Sequence, residues 1–325
     1  MKIFITGGTG NIGQYVTKTL LEAGHELVAY TRTPERIPQF GKQKHLTPVK
    51  GNILDLEIMG KALRGCDAVI HIALGWGNTP VEMLDHDTRV TVFLLEKAEQ
   101  AGVKNFIYTS STAVFGRNQD GADETTFCTP DDLYGSTKAA TEKYLTGFRQ
   151  YYTGQGVRGA VVKIRRNIIR PGYTFSNPAY EGGASQSDTR FRDIARSILK
   201  GETLVISEYD GTQFISSAQI AQVYLKLVES ELDEEIFLAL GASFTSWADI
   251  ARMGIDLVPG TAARVIPPEG EVKRRPAHVK VDKLKRVFGF SFDAAEELRE
   301  HLRWNIDRER KVLQGQTVHD VYHVW

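Results

Sequence analysis

Short runs of consecutive apolar residues alternate, through the first half of this chain, with segments whose apolar positions recur every three or four residues. The runs are Ile3–Ile5, Leu27–Tyr30, Ala68–Ile72, Phe106–Thr109 and Gly159–Ile164. Their continuity predicts strands buried on both faces. Between them, Gly13–Ala23, Glu57–Leu63, Met83–Ala101 and Ser136–Tyr152 carry the helical period. Strand and helix in alternation predict an α/β fold, a doubly wound parallel sheet covered by helices on both sides.

The pattern loosens after Arg170. Pro171-Gly172 and Ser176–Asp188, rich in Gly, Ser and Asn, read as loop. Helices are expected over Arg190–Lys200, Ser217–Glu229, Trp247–Val258, Asp282–Phe288 and Ala294–Arg310, with strands at Leu204–Ile206 and Ile236–Leu240. Pro267–Pro276 is a proline-marked loop. A regular first half followed by a loop-rich second half predicts a rigid scaffold carrying a smaller substrate-binding part. Composition narrows the class. Lys plus Arg and Asp plus Glu number 40 each, so no charge excess points to nucleic acid or to an anionic membrane. The two cysteines, Cys66 and Cys128, form neither a disulfide framework nor a metal pattern. With no apolar run of membrane-spanning length and no leader pattern at Met1, a cytoplasmic setting is expected.

The most informative stretch is the turn after the first strand, Thr6-Gly7-Gly8-Thr9-Gly10-Asn11-Ile12-Gly13. A helix opening on glycines presents bare N–H groups and partial positive charge to a phosphate. Two registers fit, one counting from Gly7 and one from Gly8, each ending on Gly10 and Gly13; both read as a dinucleotide site. Farther on, Tyr134 and Lys138 stand four residues apart, which places them on one face of a helix. A nearby ammonium favours a phenolate, so the pair can move a proton on and off a hydroxyl. Ser110-Ser111-Thr112 follows the strand Phe106–Thr109, at the carboxyl edge where open sheets bind ligands. A serine hydroxyl there can donate to a substrate oxygen as charge builds on it. Asp85-His86-Asp87 resembles a metal motif, but its place before a long helix assigns it to capping, and no metal is expected.

Together, the glycine turn, Asp67-Ala-Val-Ile-His71-Ile-Ala73, Tyr108-Thr-Ser-Ser111-Thr-Ala-Val-Phe-Gly116 and Tyr134-Gly-Ser-Thr-Lys138 resemble an extended short-chain dehydrogenase/reductase, closest to the NAD(P)-dependent epimerase/dehydratases. The segment Ile164–Gly172 is similar to the loop after that family's sixth strand, and Arg275-Pro276 with Val281–Phe290 to its C-terminal signature. The resemblance implies a Rossmann-type domain over 1–170, to which 211–240 returns, and a discontinuous substrate domain of 171–210 and 241–325. It implies Tyr134 as general acid/base, Lys138 on the nicotinamide ribose, and Ser111, or less readily Thr112, on the substrate oxygen. Gly7, Gly10, Asn11, Ile12 and Gly13 would hold the pyrophosphate. Asn52 and Ile53 would lie beside adenine, Ala73 and Pro171 near the nicotinamide, and Asn167 near substrate. The family's pairing helices imply a homodimer through Met83–Ala101 and Ser136–Tyr152.

Cofactor and substrate are read from departures. An acidic residue expected about 20 positions beyond the glycines, to take the ribose hydroxyls of NAD, is missing. Thr31 and Arg32 stand there instead, which favours NADP over NAD because a guanidinium can fork onto a 2′-phosphate. Thr212 occupies the place of the arginine that grips a nucleotide diphosphate in many relatives, while Arg275 remains. Trp76 can stack on a sugar ring. The reaction expected is reversible hydride transfer at a hydroxyl-bearing carbon of a sugar or sugar-like, polyhydroxylated small molecule, with epimerase and dehydrogenase both open and dehydratase ranked last. The alternatives are an NADP(H)-dependent dehydrogenase/reductase of a small hydroxy or carbonyl compound, and a non-catalytic NADP-sensing regulator.

Overall fold

A computed structural model describes residues 1–117, 119–149, 162–185 and 188–318. Six strands, β1 (Lys2–Thr6), β2 (Glu26–Thr31), β3 (Leu46–Lys50), β4 (Ala68–His71), β5 (Asn105–Thr109) and β6 (Arg165–Pro171), join a last strand, Ile236–Ala239, in one sheet. Its order is Ile236–Ala239, β6, β5, β4, β1, β2, β3, and every pairing is parallel. This is the doubly wound arrangement expected from the alternation. The winding reverses beside β1, which opens a crevice at the carboxyl ends of β1 and β4.

Successive residues of β1 serve opposite faces, as strand geometry requires. Ile3 and Ile5 pack with α1 (Asn11–Glu22) and the helix Ser217–Val228. Phe4 packs on the other side with α2 (Leu56–Ala62). That side also holds a composite helix, in which α3 (Pro80–Met83) passes through a π-helical stretch, Leu84–Arg89, into α4 (Val90–Gln100). Beside it lies α5 (Leu133–Gly147). A further apolar cluster in the second half gathers Phe175, Phe191, Phe214, Trp247 and Leu302, with most ring pairs edge to face. Edge-to-face contact sets the positive rim of one ring against the negative face of the next.

One expectation requires correction, and one strand is added. The sixth strand is Arg165–Pro171, the segment read as the loop after it. The expected strand Gly159–Ile164 lies upstream, and residues 150–161, with the end of the expected helix Ser136–Tyr152, fall outside the described residues. β3 was not foreseen, because Leu46-Thr-Pro-Val-Lys50 is half polar and contains Pro48. It is an edge strand, where a missing N–H costs little.

Candidate functional site

The glycine turn resolves to the register beginning at Gly7. Gly7 has φ of 73°, a left-handed conformation that L side chains rarely adopt. A Cβ there would stand 2.7 Å from the Ala73 nitrogen, so the turn lies directly on the segment after β4. A Cβ on Gly13 would overlap the Gly7 carbonyl oxygen, so α1 can close on the turn only through glycine. Gly10 differs. Its Cβ would meet only the Gly7 oxygen, at 3.3 Å, and otherwise enter open space at the helix N-terminus. A cradle that a side chain would partly fill, at the N-terminus of a 12-residue helix, suits a pyrophosphate. The buried Ser110 hydroxyl at the end of β5 has no hydrogen-bond partner among the described residues.

Several residues expected on the dinucleotide turn their side chains elsewhere. The Asn11 amide donates to the Thr174 carbonyl (3.4 Å), and its oxygen accepts from the Ser176 and Ser217 hydroxyls, joining the first half of the chain to the second. Only its backbone remains at the turn. Thr31 is buried and shares a hydroxyl contact of 3.2 Å with Thr9. The Asn52 side-chain oxygen accepts from the Leu54 N–H and closes its own turn. Ile12 and Ile53 are partly buried against the two sheet cores. Ala73 donates its N–H to the Thr6 hydroxyl, and Pro171 ends β6 opposite Ala239. Arg32 is exposed just beyond β2, and Glu35, three residues on in the chain, pairs with Lys50 at 3.0 Å.

Around α5 the geometry is tight. Asp132 caps the helix by accepting from the Gly135 N–H (2.6 Å). Gly135 lacks a side chain where a Cβ would collide with the Ala113 carbonyl. The start of α5 therefore lies on the short 3-10 turn Thr112–Phe115. Ser111 caps that turn, its oxygen accepting from the Ala113 N–H (3.1 Å). The Ser111 proton is left for donation. Thr112 beside it is buried. Tyr134 is half-buried, and Lys138, one turn on, is buried with its ammonium 5.8 Å from the Tyr134 ring and 4.8 Å from the Tyr108 ring. Lys138 donates to the Thr109 carbonyl (3.1 Å) and contacts the Asp87 carboxylate (3.4 Å).

Asp87 is the principal residue the sequence reading missed, and the capping assignment was wrong. It lies within the π-helical stretch, fully buried, with one oxygen on Lys138 and the other accepting from the Tyr108 hydroxyl (3.2 Å). The extra residue of a π turn re-aims side chains, and here it turns Asp87 and Thr88 toward α5, where Thr88 meets Thr141 at 2.9 Å. The available signal was an acid set among apolar positions of one continuous helix. A second buried relay ends on the same residue. Ala73 donates to Thr6, Thr6 meets His71 Nδ1 (2.7 Å), His71 Nε2 meets Thr91 (3.0 Å), and Thr91 donates to the Asp87 carbonyl (2.7 Å). Burial, assisted by the Lys138 charge, pushes His71 down to about 3, so it is neutral at ordinary pH. Since Thr91 spends its proton on Asp87, His71 Nε2 is the donor in this relay.

Two substrate candidates are placed away from this cluster. Asn167, expected at the substrate, is fully buried within β6. Its amide donates to the Leu232 carbonyl (2.8 Å), and its oxygen accepts from the Glu235 N–H (3.1 Å). It is a bridge between chain segments, because a buried amide must satisfy both ends. Arg275 is exposed and pairs with Asp120 at 3.3 Å. Trp76, by contrast, stacks on Tyr134, with ring centroids 5.5 Å apart and planes 23° apart. Among the described residues no group of three His, Cys, Asp or Glu side chains is arranged to hold a metal, and no helix is long and apolar enough to cross a membrane.

Comparison with known proteins adds kinship. The model of the NAD dependent epimerase/dehydratase family matches residues 3–238. An uncharacterized protein of Saccharomyces cerevisiae is 35% identical over 306 residues, covering 89% of this chain and 87% of its own. A 3 beta-hydroxysteroid dehydrogenase/Delta 5-->4-isomerase of Mycobacterium tuberculosis is 30% identical over 218 residues, 63% of this chain, and the chain spans only 53% of that protein's length. Among solved structures, UDP-glucuronic acid 4-epimerase from Bacillus cereus in complex with UDP-glucuronic acid and NAD superimposes with a TM-score of 0.75 at 19% identity, covering 96% of this chain and 100% of that one. At that identity the likeness is one of fold.

Proposed function

The chain belongs to the NAD-dependent epimerase/dehydratase family, and from that premise we propose that it catalyses reversible hydride transfer at a hydroxyl-bearing carbon of a sugar or sugar-like small molecule. The observation that carries the reading is the buried Lys138 ammonium set one turn behind Tyr134, with the Ser111 hydroxyl at the neighbouring turn. A nicotinamide dinucleotide, when bound, supplies the hydride acceptor and donor. Tyr134 takes the substrate hydroxyl proton as the carbon is oxidised and returns it on reduction. Lys138 favours negative charge on the phenol oxygen during that exchange. Ser111 donates its proton to the substrate oxygen and orients it. Residues 1–170 with 211–240 hold the dinucleotide in this reading, and 171–210 with 241–325 shape the substrate side.

NADP is the preferred form of the dinucleotide, a reading supported by Arg32 just beyond β2, where a guanidinium can fork onto a 2′-phosphate. A homodimer is supported by the exposed apolar side chains Val81, Leu84, Leu133 and Tyr144 on the composite helix and α5, and light scattering at monomer mass would count against it.

The test begins with dinucleotide retained after purification and dialysis, followed by titration with NADP(H) and NAD(H). Binding of neither overturns the proposal, and tighter NAD binding overturns the NADP preference. Tightly retained dinucleotide favours an epimerase, whereas free exchange favours a dehydrogenase or reductase. With a turned-over substrate, Tyr134→Phe is expected to lose about 100-fold or more in kcat at unchanged dinucleotide affinity. An unchanged rate would remove Tyr134 from the proton step.

A further inference from the structure

Resting on that reading, we infer that the substrate is an uncharged hydroxylated ring held by its flat apolar face against Trp76, and not a nucleoside diphosphate conjugate. Trp76 is 46% exposed, and its backbone is anchored against the composite helix. Its carbonyl accepts from His86 Nδ1 (2.8 Å), and the next N–H, of Gly77, is directed at the Met83 sulfur (3.2 Å). The Asn78 N–H donates to Glu82 at 2.6 Å. The glycines on either side let the segment lie against the composite helix. A Cβ at Gly75 would stand 2.7 Å from His86, and one at Gly77 would collide with Glu82. The indole lies nearly parallel to the phenol of Tyr134 and the residue remains nearly half exposed beside the proposed proton-transfer group. A saturated ring whose hydroxyl reaches Tyr134 can lay its C–H face on that surface, gaining apolar contact and alignment together.

Three arginines of the second half show the opposite character. Arg275 is paired with Asp120, Arg190 with Asp210 and Arg192 with Asp193. Thr212, a hydroxyl residue, stands in the short strand Gly211–Thr212 against Thr245–Ser246. Two phosphates carrying full negative charge need cations not already offset by carboxylates. The aromatic surface recognises the ring in either of two sources, a pyranose or a fused carbocycle, and the experiment separates them.

The whole chain is incubated with NADP+ or NAD+ and, separately, UDP-glucose, methyl β-glucopyranoside and a 3β-hydroxysteroid. Oxidised or epimerised product is followed by chromatography. Turnover of either uncharged ring is expected, and which of the two identifies the source. Trp76→Ala should raise KM about tenfold with kcat and dinucleotide affinity little changed, and Trp76→Phe should recover most of the loss. Turnover of UDP-glucose, turnover of none of the three by protein that binds dinucleotide, or a Trp76→Ala enzyme with unaltered KM would overturn the inference. Protein that binds no dinucleotide would instead fail the underlying reading.

Discussion

At the scale of single residues, the site depends on a buried ion pair. Lys138 and Asp87 are both almost wholly withdrawn from water, and neither charge has bulk solvent to screen it. Such a pair contributes little net stability when intact, but removal of one partner strands the other. Asp87→Ala should therefore lower the unfolding free energy by about 3–5 kcal/mol in urea titrations, because Lys138 keeps the Thr109 carbonyl and the Tyr108 ring but loses its carboxylate. Asp87→Asn, which retains an acceptor for Lys138 and can donate its amide N–H to the Tyr108 oxygen, should cost less. Wild-type stability in Asp87→Ala would show that the ammonium has found another partner. The pairing also has a positional consequence. Asp87 and the Thr109 carbonyl together fix where the ammonium sits, 5.8 Å from the Tyr134 ring.

At the scale of elements, the dinucleotide turn separates folding from binding. Gly13 is where α1 closes on the Gly7 carbonyl, whereas Gly10 borders open space. Gly13→Ala should displace the helix and lower stability by about 1–3 kcal/mol or more, as overpacking does, with dinucleotide binding lost as well. Gly10→Ala should melt close to the wild-type temperature and still bind dinucleotide more weakly, because its methyl group occupies the phosphate approach. Thermal unfolding with and without dinucleotide checks both, and a Gly10→Ala protein with undiminished affinity would place the phosphate elsewhere. The composite helix shows a different use of an element. Its π stretch delivers Asp87 to α5, an outcome an ideal α-helix of the same sequence would not give.

At the scale of the whole molecule, two histidines couple folding to pH. His71 lies beneath the site, and His301 lies in the aromatic cluster of the second half against Phe175 and Phe191. Burial pushes both down to about 3, with the Lys138 charge a further cause at His71. In the unfolded chain each would titrate near ~6.5, so between these values the unfolded state binds protons that the folded state refuses. Their contribution is complete above pH ~6.5 and is lost as pH falls toward about 3. The expected slope approaches about 1.4 kcal/mol per pH unit for each histidine. Urea unfolding between pH ~7 and ~5 measures it; half the slope would mean that one ring already reaches water, and a flat profile that both do.

The sequence by itself determined the parallel α/β scaffold, since buried apolar runs and intervening helical periods are local signals. It also singled out Gly7, Gly10 and Gly13, and the Tyr134–Lys138 spacing, because each is a short-range pattern on one turn or one helix face. What it could not determine were the partners that meet across elements. Asn167 reads as a polar residue near a ligand until β6 is placed between β5 and Ile236–Ala239, where its amide is consumed by the backbone. Asp87 reads as a cap until the π stretch turns it beneath Lys138, 51 residues away in the chain. Trp76 meets Tyr134 only because β4 and β5 are neighbours in the sheet and Gly135 lets α5 settle on the turn after β5. Hydrophobic periodicity records which face of an element is buried. Which polar group lies opposite is decided by the distances that packing imposes, and these exist only in the folded chain.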